Sequence, residues 1–327
     1  MFPVKKVIAD IINVSITLFK IMIPTLIVVK LLQEIGVVEL LNQILSPVMG
    51  VLGLPSEMAV VLTTNMLTNP YAGLIVASSL PELSSLSVAQ MSVLASFMLF
   101  THSLPVEALI SRKAGVRLRA TIGLRIGAGF MMGILLHQFC QATGWLSAPA
   151  VPNLPEFSTD TSLTGWVISQ IKGLIFVQLV IIVLLFFLEF LRIIGVERLI
   201  KLMLSPFLKM MRIGDRASTI AVVGVTLGLG FGGGLLIRDV ATGTINKKDV
   251  FGVLCFINLL HSIFEDTAVV MLLGPSLLVV LAVRTIFAII MTLIVMMLVA
   301  RLPDKIWDNH LVNRNIPVSG ERADNQI

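Results

Sequence analysis

Charged residues are scarce in this sequence. They make up 13% of the 327 residues, whereas 56% are hydrophobic, and soluble domains carry about 25% charged residues. The mean hydropathy of +0.97 therefore excludes an ordinary soluble globular domain. Because long continuous apolar runs favour helices in a bilayer, we predict an all-α polytopic membrane protein.

Several motifs of well-known function are absent as well. Only two cysteines, Cys140 and Cys255, occur, and both lie in apolar runs, which excludes a disulfide framework and a CxxC metal or redox motif. The sequence contains no GxxxxGK[ST], which argues against transport driven by ATP or GTP on this chain alone. No ordered Ser-His-Asp or zinc-hydrolase pattern occurs either. We therefore predict that the protein is not an enzyme, with an intramembrane metallohydrolase as a distant alternative.

Apolar runs of sufficient length to cross a membrane, about 20 helical residues, occur six times. They lie near residues 11–33, 88–111, 120–140, 166–191, 250–273 and 276–300. Two further apolar segments contain strong helix breakers. Thr68-Asn69-Pro70 interrupts residues 57–80, and a glycine series between 228 and 234 interrupts residues 217–242. We predict that these two segments form re-entrant helical hairpins.

The two halves of the chain resemble each other at an offset of 159 positions. This offset superposes rare polar, glycine and proline positions: Gly36 on Gly195, Ser46-Pro47 on Ser205-Pro206, His102-Ser103 on His261-Ser262, Glu107 on Asp266, and Arg125 on Arg284. Chance similarity between apolar chains would align mainly leucines, so we infer a duplication. Each repeat is predicted to have three transmembrane helices, one amphipathic interfacial helix and one re-entrant hairpin. Three crossings are an odd number, so the second repeat is predicted to be inverted.

Lysine and arginine are distributed unevenly. Residues 34–86 and 142–170 contain neither. Because cytoplasmic loops carry the positive excess, these stretches are predicted to be outside and both termini cytoplasmic, in the cytoplasmic (inner) membrane. The net charge of +5 then reflects orientation, and no nucleic-acid partner is expected. The predicted organisation is a first repeat at 1–141, an extracytoplasmic linker at 142–165, a second repeat at 166–300 and a polar cytoplasmic tail at 301–327.

Ionisable residues lie within the apolar runs, where each costs roughly 2.5 to 3.5 kcal/mol and usually marks an ion or substrate path. Five such groups are His102, Glu107, His261, Glu265 and Asp266. Both histidines fall near the middle of their predicted helices. The alternative interpretation is that the histidines are core residues and that the acids pair with Arg125 and Arg284, which occupy equivalent positions in the two repeats.

The helix breaks supply further candidate groups. Pro105 is predicted to unwind the helix beside His102, whereas Phe264 at the equivalent position gives no such signal. Broken helices in transporters turn their free backbone groups and helix ends towards the substrate. The tip of the first hairpin adds four polar side chains, which we predict to bind solute: Thr64, Asn65, Thr68 and Asn69. The second tip offers mainly backbone amides.

Certain motifs have counterparts in a known family. They are Leu45-Ser46-Pro47, Leu204-Ser205-Pro206, the Thr68-Asn69-Pro70 tip and the two His-Ser clusters. With this helix order, about residues 10–300 resemble the membrane core of the concentrative nucleoside transporters. The chain resembles more closely the nucleoside-recognition or Gate-domain family, which includes the spore maturation membrane proteins and is similar to the membrane part of ferrous iron transporter B. The resemblance implies a binding role for Asn65, Asn69, Glu107 and Asp266.

The function predicted from these observations is secondary transport of a small polar, nucleoside-like solute or an ion, through a site near the membrane midplane between inverted repeats. No cofactor is certain, and the possibilities are a coupling ion, either H⁺ or Na⁺, or a divalent metal. A divalent metal transporter is the alternative, because transition metals accept such ligands, here His102, Glu107, His261, Glu265 and Asp266. A non-transporting receptor or complex subunit is a further alternative. The expected partners are the bilayer and the solute, and the sequence is compatible with a homo-oligomer.

Overall fold

The computed structural model describes residues 4–154, 162–211 and 213–312. Within these ranges the regular elements are helices, accompanied by two isolated β-bridges. The all-α prediction is therefore confirmed for this part of the chain. Parts of the predicted linker and tail, residues 155–161 and 313–327, lie outside the described residues.

Two successive series of helices make up the chain. The first comprises α1 (Val4–Glu34), α2 (Val37–Val51), α3 (Met58–Leu67), α4 (Pro70–Ser78), α5 (Val88–Thr101), α6 (Leu104–Lys113) and α7 (Leu118–Thr143). The second comprises α8 (Leu163–Ile193), α9 (Val196–Met210), α10 (Asp215–Leu227), α11 (Leu229–Ala241), α12 (Lys247–Leu259), α13 (Glu265–Val270) and α14 (Arg284–Val299). A short α15 (Asp304–Ile306) follows. Both series begin with a 31-residue helix, which is followed by a 15-residue helix. Two helix pairs come next, each pair separated by a short break in the helix, and a longer helix ends the series.

Five helical segments of the described chain are long and apolar enough to cross a membrane. They are Lys5–Leu32, Val88–Lys113, Leu118–Thr143, Leu163–Ile193 and Leu278–Val299. These correspond to five of the six predicted runs. The sixth run, near 250–273, is divided into the 13-residue α12 and the six-residue α13. A sixth crossing therefore stays a prediction.

The long helices α1 and α8 pack against each other and present large apolar side chains outwards. Ile16 on α1 is 60% exposed and Val183 on α8 is 69% exposed. An extended apolar surface of this kind is unfavourable in water but matches the hydrocarbon of a bilayer. These two helices therefore support membrane embedding independently of composition.

Both predicted helix breaks of the hairpins are present. The α3–α4 break lies at Thr68 and Asn69, where the Asn69 side chain caps α4 by accepting a 2.9 Å hydrogen bond from the Ala72 amide. Pro70 follows as the first helical residue, a position that its fixed φ suits. Re-entry of the hairpins into the membrane remains a prediction.

The glycine series of the second hairpin differs from our expectation. Only Gly228, with φ at +95°, lies outside a helix, and the later glycines belong to α11. Gly232 allows α11 to pack closely on α10, because a Cβ at this position would lie 2.6 Å from the Gly224 Cα. The series therefore supports close helix packing more than it provides an open tip.

The helices form two compact units. Unit 1 contains Met1–Ser103, Gly129–Ile194 and Glu265–Val280, and unit 2 contains Leu104–Ala128, Gly195–Phe264 and Leu281–Ile327. Each unit combines segments of both predicted repeats, so the units differ from the linear division into 1–141 and 166–300. The chain leaves one unit for the other between Ser103 and Leu104 and again between Phe264 and Glu265. These two positions coincide with the ends of the His-Ser breaks.

Within unit 1, α3 packs against α2, α4 and α5, and α13 packs against α4, α5 and α8. These contacts place the first hairpin, the end of α5 and α13 side by side. Within unit 2, α10 is the central helix and packs against α9, α11 and α12, while α6 packs against α11 and α12 against α14. Each unit thus positions one hairpin beside one His-Ser break.

Candidate substrate-binding site

In unit 1 the helix break beside His102 is held by the hairpin tip. Ser103 has φ at +51°, a left-handed conformation uncommon for residues other than glycine. Its amide donates to the Asn65 carbonyl at 3.1 Å, and its Oγ donates to the Thr68 carbonyl at 2.7 Å. The break predicted from Pro105 is therefore present, and the two hydrogen bonds join it to the end of α3.

His102 lies in this break and is 3% exposed. Its Nδ1 lies 3.2 Å from the Met98 carbonyl oxygen and its Nε2 lies 3.5 Å from Asp266 Oδ2. Because Nδ1 faces a carbonyl oxygen, it must donate a proton there. The pair therefore brings an imidazole ring and a carboxylate together in the interior of unit 1.

Glu265, the neighbouring acid, contacts the first hairpin. The Tyr71 hydroxyl on α4 donates to Glu265 Oε1 at 3.4 Å, and Tyr71 is buried. We did not predict Tyr71 from the sequence. The signal that could have identified it is that the chain has a single tyrosine, placed directly after the Asn69-Pro70 break.

The predicted polar residues of the first tip, Thr64, Asn65, Thr68 and Asn69, are all buried. Asn65 Nδ2 donates to the Met98 carbonyl at 3.2 Å, while its Oδ1 has no hydrogen-bond partner among the described residues. Asn69 shows the reverse situation, because its Oδ1 caps α4 and its Nδ2 has no partner in the described chain. Buried polar atoms of this kind are costly and call for a ligand or water. The tip therefore offers a ligand one hydrogen-bond acceptor, Asn65 Oδ1, and one donor, Asn69 Nδ2.

In unit 2 the second His-Ser break occurs without a proline. The chain leaves α12 after Leu259, and Ser262 has φ at +45°. The Ile263 amide donates to the Val225 carbonyl at 2.9 Å, and Gly228 makes room for Ser262, because a Cβ at Gly228 would lie 2.7 Å from Ser262 Oγ. This break is therefore stabilised by contacts with the second hairpin, and Phe264 is compatible with it.

His261 is the equivalent of His102 and is 2% exposed. Its Nδ1 lies 2.7 Å from the Ile257 carbonyl oxygen, and its Nε2 lies 3.2 Å from Glu107 Oε1. The other Glu107 oxygen accepts a hydrogen bond from Arg125, which is fully buried. The predicted pairing of Glu107 with Arg125 is thus present.

Arg284, predicted as the second charge partner, is also fully buried. Its Nη2 donates to the backbone carbonyl of His261 at 3.4 Å. Arg284 therefore contacts the broken end of α12, where the helix leaves carbonyl oxygens without intrahelical partners.

The two His–carboxylate pairs are reciprocal. Unit 1 joins His102 of the first half to Asp266 of the second, whereas unit 2 joins His261 of the second half to Glu107 of the first. The offset of 159 positions converts one pair into the other. The sequence identified all four residues, but their exchange between the halves required the structure.

A second layer of polar contacts was also missed in the sequence. In unit 2, Asn258 Nδ2 donates to Ser111 Oγ at 3.0 Å, and both residues are buried. Asn258 precedes His261 by about one helical turn, and Ser111 follows Glu107 by about one turn. Polar residues one turn away from a candidate ionisable residue are the signal that could have pointed to them.

Apolar helices that expose hydrocarbon-compatible surfaces and bury ionisable pairs define a membrane protein with several apolar helices. Residues 15–116 match the Gate family model, described as nucleoside recognition, which confirms the resemblance over that segment. The matched segment contains α3, α4, His102 and Glu107. The chain is also 28% identical over 220 residues to the uncharacterized membrane protein YvoD of Bacillus subtilis (strain 168), which corresponds to 64% of this chain and 68% of that protein. No solved structure matches the chain significantly.

Proposed function

We propose that this protein is a secondary transporter that moves a small polar, nucleoside-like solute through a site near the membrane midplane, built from two inverted repeats. The observation that carries the proposal is the reciprocity of His102–Asp266 and His261–Glu107. Each half contributes the histidine of one pair and the acid of the other, which supports a duplicated architecture. Inverted repeats are common in transporters, which build their sites from broken helices.

Membrane topology follows from the same proposal. α12 and α13 together supply the sixth crossing. The protein lies in the cytoplasmic (inner) membrane, and both of its termini are cytoplasmic. The two interfacial helices support the orientation, because α2 contains no lysine or arginine whereas α9 contains Arg198, Lys201 and Lys209. Positive residues favour the cytoplasmic side. In this proposal α9 lies on the cytoplasmic face and α2 on the outer face.

Solute recognition in this proposal begins at the first hairpin tip. The acceptor Asn65 Oδ1 and the donor Asn69 Nδ2 both lack partners among the described residues. A nucleobase edge or an amide presents a donor and an acceptor and can satisfy both atoms, which recovers the cost of burying them. The acids Glu265 and Asp266 on α13 supply acceptors for hydroxyl groups. Thr64 and Thr68 complete the polar surface.

The two His–carboxylate pairs provide the coupling step. Each pair places an imidazole nitrogen beside a carboxylate oxygen, and both are groups that can take up or release a proton. Gain or loss of that proton changes the attraction across the pair and so the balance between conformations of the transporter. H⁺ is accordingly the coupling ion that we favour over Na⁺.

A divalent metal ion is the second candidate cargo. Each pair offers one imidazole nitrogen and one carboxylate oxygen, which transition metals accept as ligands. However, Glu107 already accepts from the buried guanidinium of Arg125, whose positive charge opposes a cation at the same carboxylate. This contact favours the polar solute over the metal.

The decisive experiment is uptake into sealed proteoliposomes that contain the purified full-length protein. Uptake of radiolabelled uridine and adenosine is measured with and without a proton gradient, alongside thermal stabilisation by the same nucleosides and by Mn²⁺, Fe²⁺ and Zn²⁺. We expect gradient-dependent nucleoside uptake that is lost in His102→Ala and His261→Ala and kept in the exposed control His310→Ala. Stabilisation by nucleosides without uptake would identify a receptor. Stabilisation by metal alone, lost in both site variants, would identify a metal transporter.

A further inference from the structure

Unit 2 contains a cavity of about 250 Å³ that is partly open and not fully enclosed. It is bounded by the first turns of α7, by α12 and by the last half of α14, and its walls are mainly apolar, including Phe251, Met291 and Val295. An apolar cavity of about 150 Å³ is enough to bind benzene. The cavity therefore has room for a molecule of about ten non-hydrogen atoms. The ionisable residues of the candidate substrate-binding site are not among its lining residues in the described chain.

Two buried polar atoms in the lining are left without a hydrogen-bond partner among the described residues. They are Thr121 Oγ1 and Asn258 Oδ1, in side chains that are 2% and 1% exposed. Asn258 uses its amide nitrogen for Ser111 and for the Leu254 carbonyl, so only its oxygen acceptor remains. Native proteins rarely bury such atoms unsatisfied.

The Thr121 hydroxyl is unusual within this chain. Threonines in helices commonly donate to the carbonyl oxygen four residues earlier. Thr285 and Thr292 do so here, at 2.6 and 2.8 Å, as does Thr101 on α5 at 2.8 Å. Thr121 makes no such bond to another described residue and instead lines the cavity. Its hydroxyl is thus available to a molecule in the cavity.

We propose that this cavity is a second binding site, for a small, largely apolar molecule that carries a single hydroxyl or N–H group. The donor hydrogen of the ligand bonds to Asn258 Oδ1, and the Thr121 hydroxyl bonds to the same polar group of the ligand. A sugar or a charged solute does not fit, because the remaining walls cannot satisfy its polar atoms. A purely apolar molecule fits the walls but leaves both polar atoms unsatisfied. The proposal is independent of the transport function.

The test compares 2-naphthol with 2-methoxynaphthalene, which has the same ring system but no hydrogen-bond donor. Binding to the purified full-length protein is measured by thermal unfolding at one fixed detergent concentration, so that partition into micelles affects all proteins equally. We expect 2-naphthol to bind about tenfold more tightly than its methyl ether, since one hydrogen bond accounts for up to about a factor of ten. Equal binding of both probes, or no binding of either, would overturn the proposal.

Two variants test whether the probes bind in this cavity. Thr121→Val removes the hydroxyl at nearly constant shape and is expected to weaken 2-naphthol binding about fivefold without affecting the methyl ether. Val295→Phe fills the cavity and is expected to abolish binding of both probes. Undiminished binding to Val295→Phe would place the probes elsewhere and contradict the proposal.

Discussion

His102 Nε2 lies 3.5 Å from Asp266 Oδ2, although the two residues belong to opposite halves of the chain. The equivalent pair, His261 with Glu107, has the halves exchanged. One difference between the pairs is that Glu107 also accepts a hydrogen bond from the buried Arg125. Equivalent positions in the sequence therefore have different electrostatic surroundings, and this difference can be measured.

Replacement of the two acids should have unequal consequences for stability. Glu107→Gln removes the Glu107 carboxylate from the fully buried Arg125 guanidinium, and removal of one partner from a buried ion pair costs about 3 to 5 kcal/mol. Asp266→Asn removes a carboxylate that faces the His102 imidazole and not a guanidinium, and should cost about 1 to 2 kcal/mol. Unfolding of both variants in the same detergent checks the order.

A double variant tests the reason for that order. In Glu107→Leu/Arg125→Met the buried charge is removed together with its partner, so we expect recovery of most of the stability lost in Glu107→Gln. Glu82→Gln, in the short turn after α4, controls for the loss of a carboxylate outside the pair. Equal destabilisation by Glu107→Gln and Asp266→Asn would show that the Arg125–Glu107 ion pair makes no additional contribution to stability.

The sequence was informative where local chemistry determines the structure. Asn69-Pro70 caps and starts a helix, and Pro105 disfavours helix continuation, so both breaks of the first half could be predicted. The break after Leu259 could not, because its support comes from Val225 and Gly228, which are distant in the sequence. Tertiary packing also explains why the glycines after Gly228 are helical.

The candidate site shows the same limit. The position of ionisable residues within apolar runs of the sequence identified the four members of the His–carboxylate pairs. Nothing local indicated which histidine faces which acid, because that choice depends on how the two halves are arranged. The Tyr71–Glu265 contact and the Asn258–Ser111 contact were missed for the same reason.

Gly232 and Gly230 form a matched test of close packing in the second hairpin. A Cβ at Gly232 would lie 2.6 Å from the Gly224 Cα, and backbone cannot move aside as a flexible side chain can. Gly232→Ala should therefore destabilise the protein by about 1 to 3 kcal/mol. A Cβ at Gly230 meets nothing within 4 Å, so Gly230→Ala should be neutral or stabilise by up to about 1 kcal/mol, because alanine favours helix. Thermal unfolding of both variants decides the matter, and a destabilising Gly230→Ala would disprove the packing argument.

The ion pair of Arg216 with Asp239, outside the five candidate membrane spans, predicts a pH dependence. The hydrogen bond from the Arg216 guanidinium, at 2.7 Å, lowers the pKa of the Asp239 carboxyl. A carboxyl whose pKa is lower in the folded state contributes stability above its unfolded pKa of about 3.9, and this contribution disappears as the pH falls through the folded value. Arg216 is 57% exposed, so the effect is modest.

Asp239→Asn removes this contribution and should be less stable than the parent at pH 6, with the difference shrinking below about pH 4. Melting temperatures of the two proteins between pH 3 and 7 provide the measurement, with Glu82→Gln as a control for the loss of one acidic residue outside the candidate membrane spans. A difference that stays constant over this range would mean that the pair does not titrate as described.

Asn69 permits a separation of folding from solute recognition. Its Oδ1 caps α4, whereas its Nδ2 has no partner among the described residues and is proposed to donate to the solute. Asn69→Ser keeps a good capping oxygen but lacks the amide donor, so stability should change little while nucleoside binding weakens about tenfold. Asn69→Ala loses both groups and should also cost about 1 kcal/mol of stability. Isothermal titration calorimetry with uridine and thermal unfolding, both measured on the same preparations, distinguish the effect on solute binding from the effect on stability. If Asn69→Ser binds uridine as tightly as the parent, the amide of Asn69 does not contact the solute and its role is confined to starting α4.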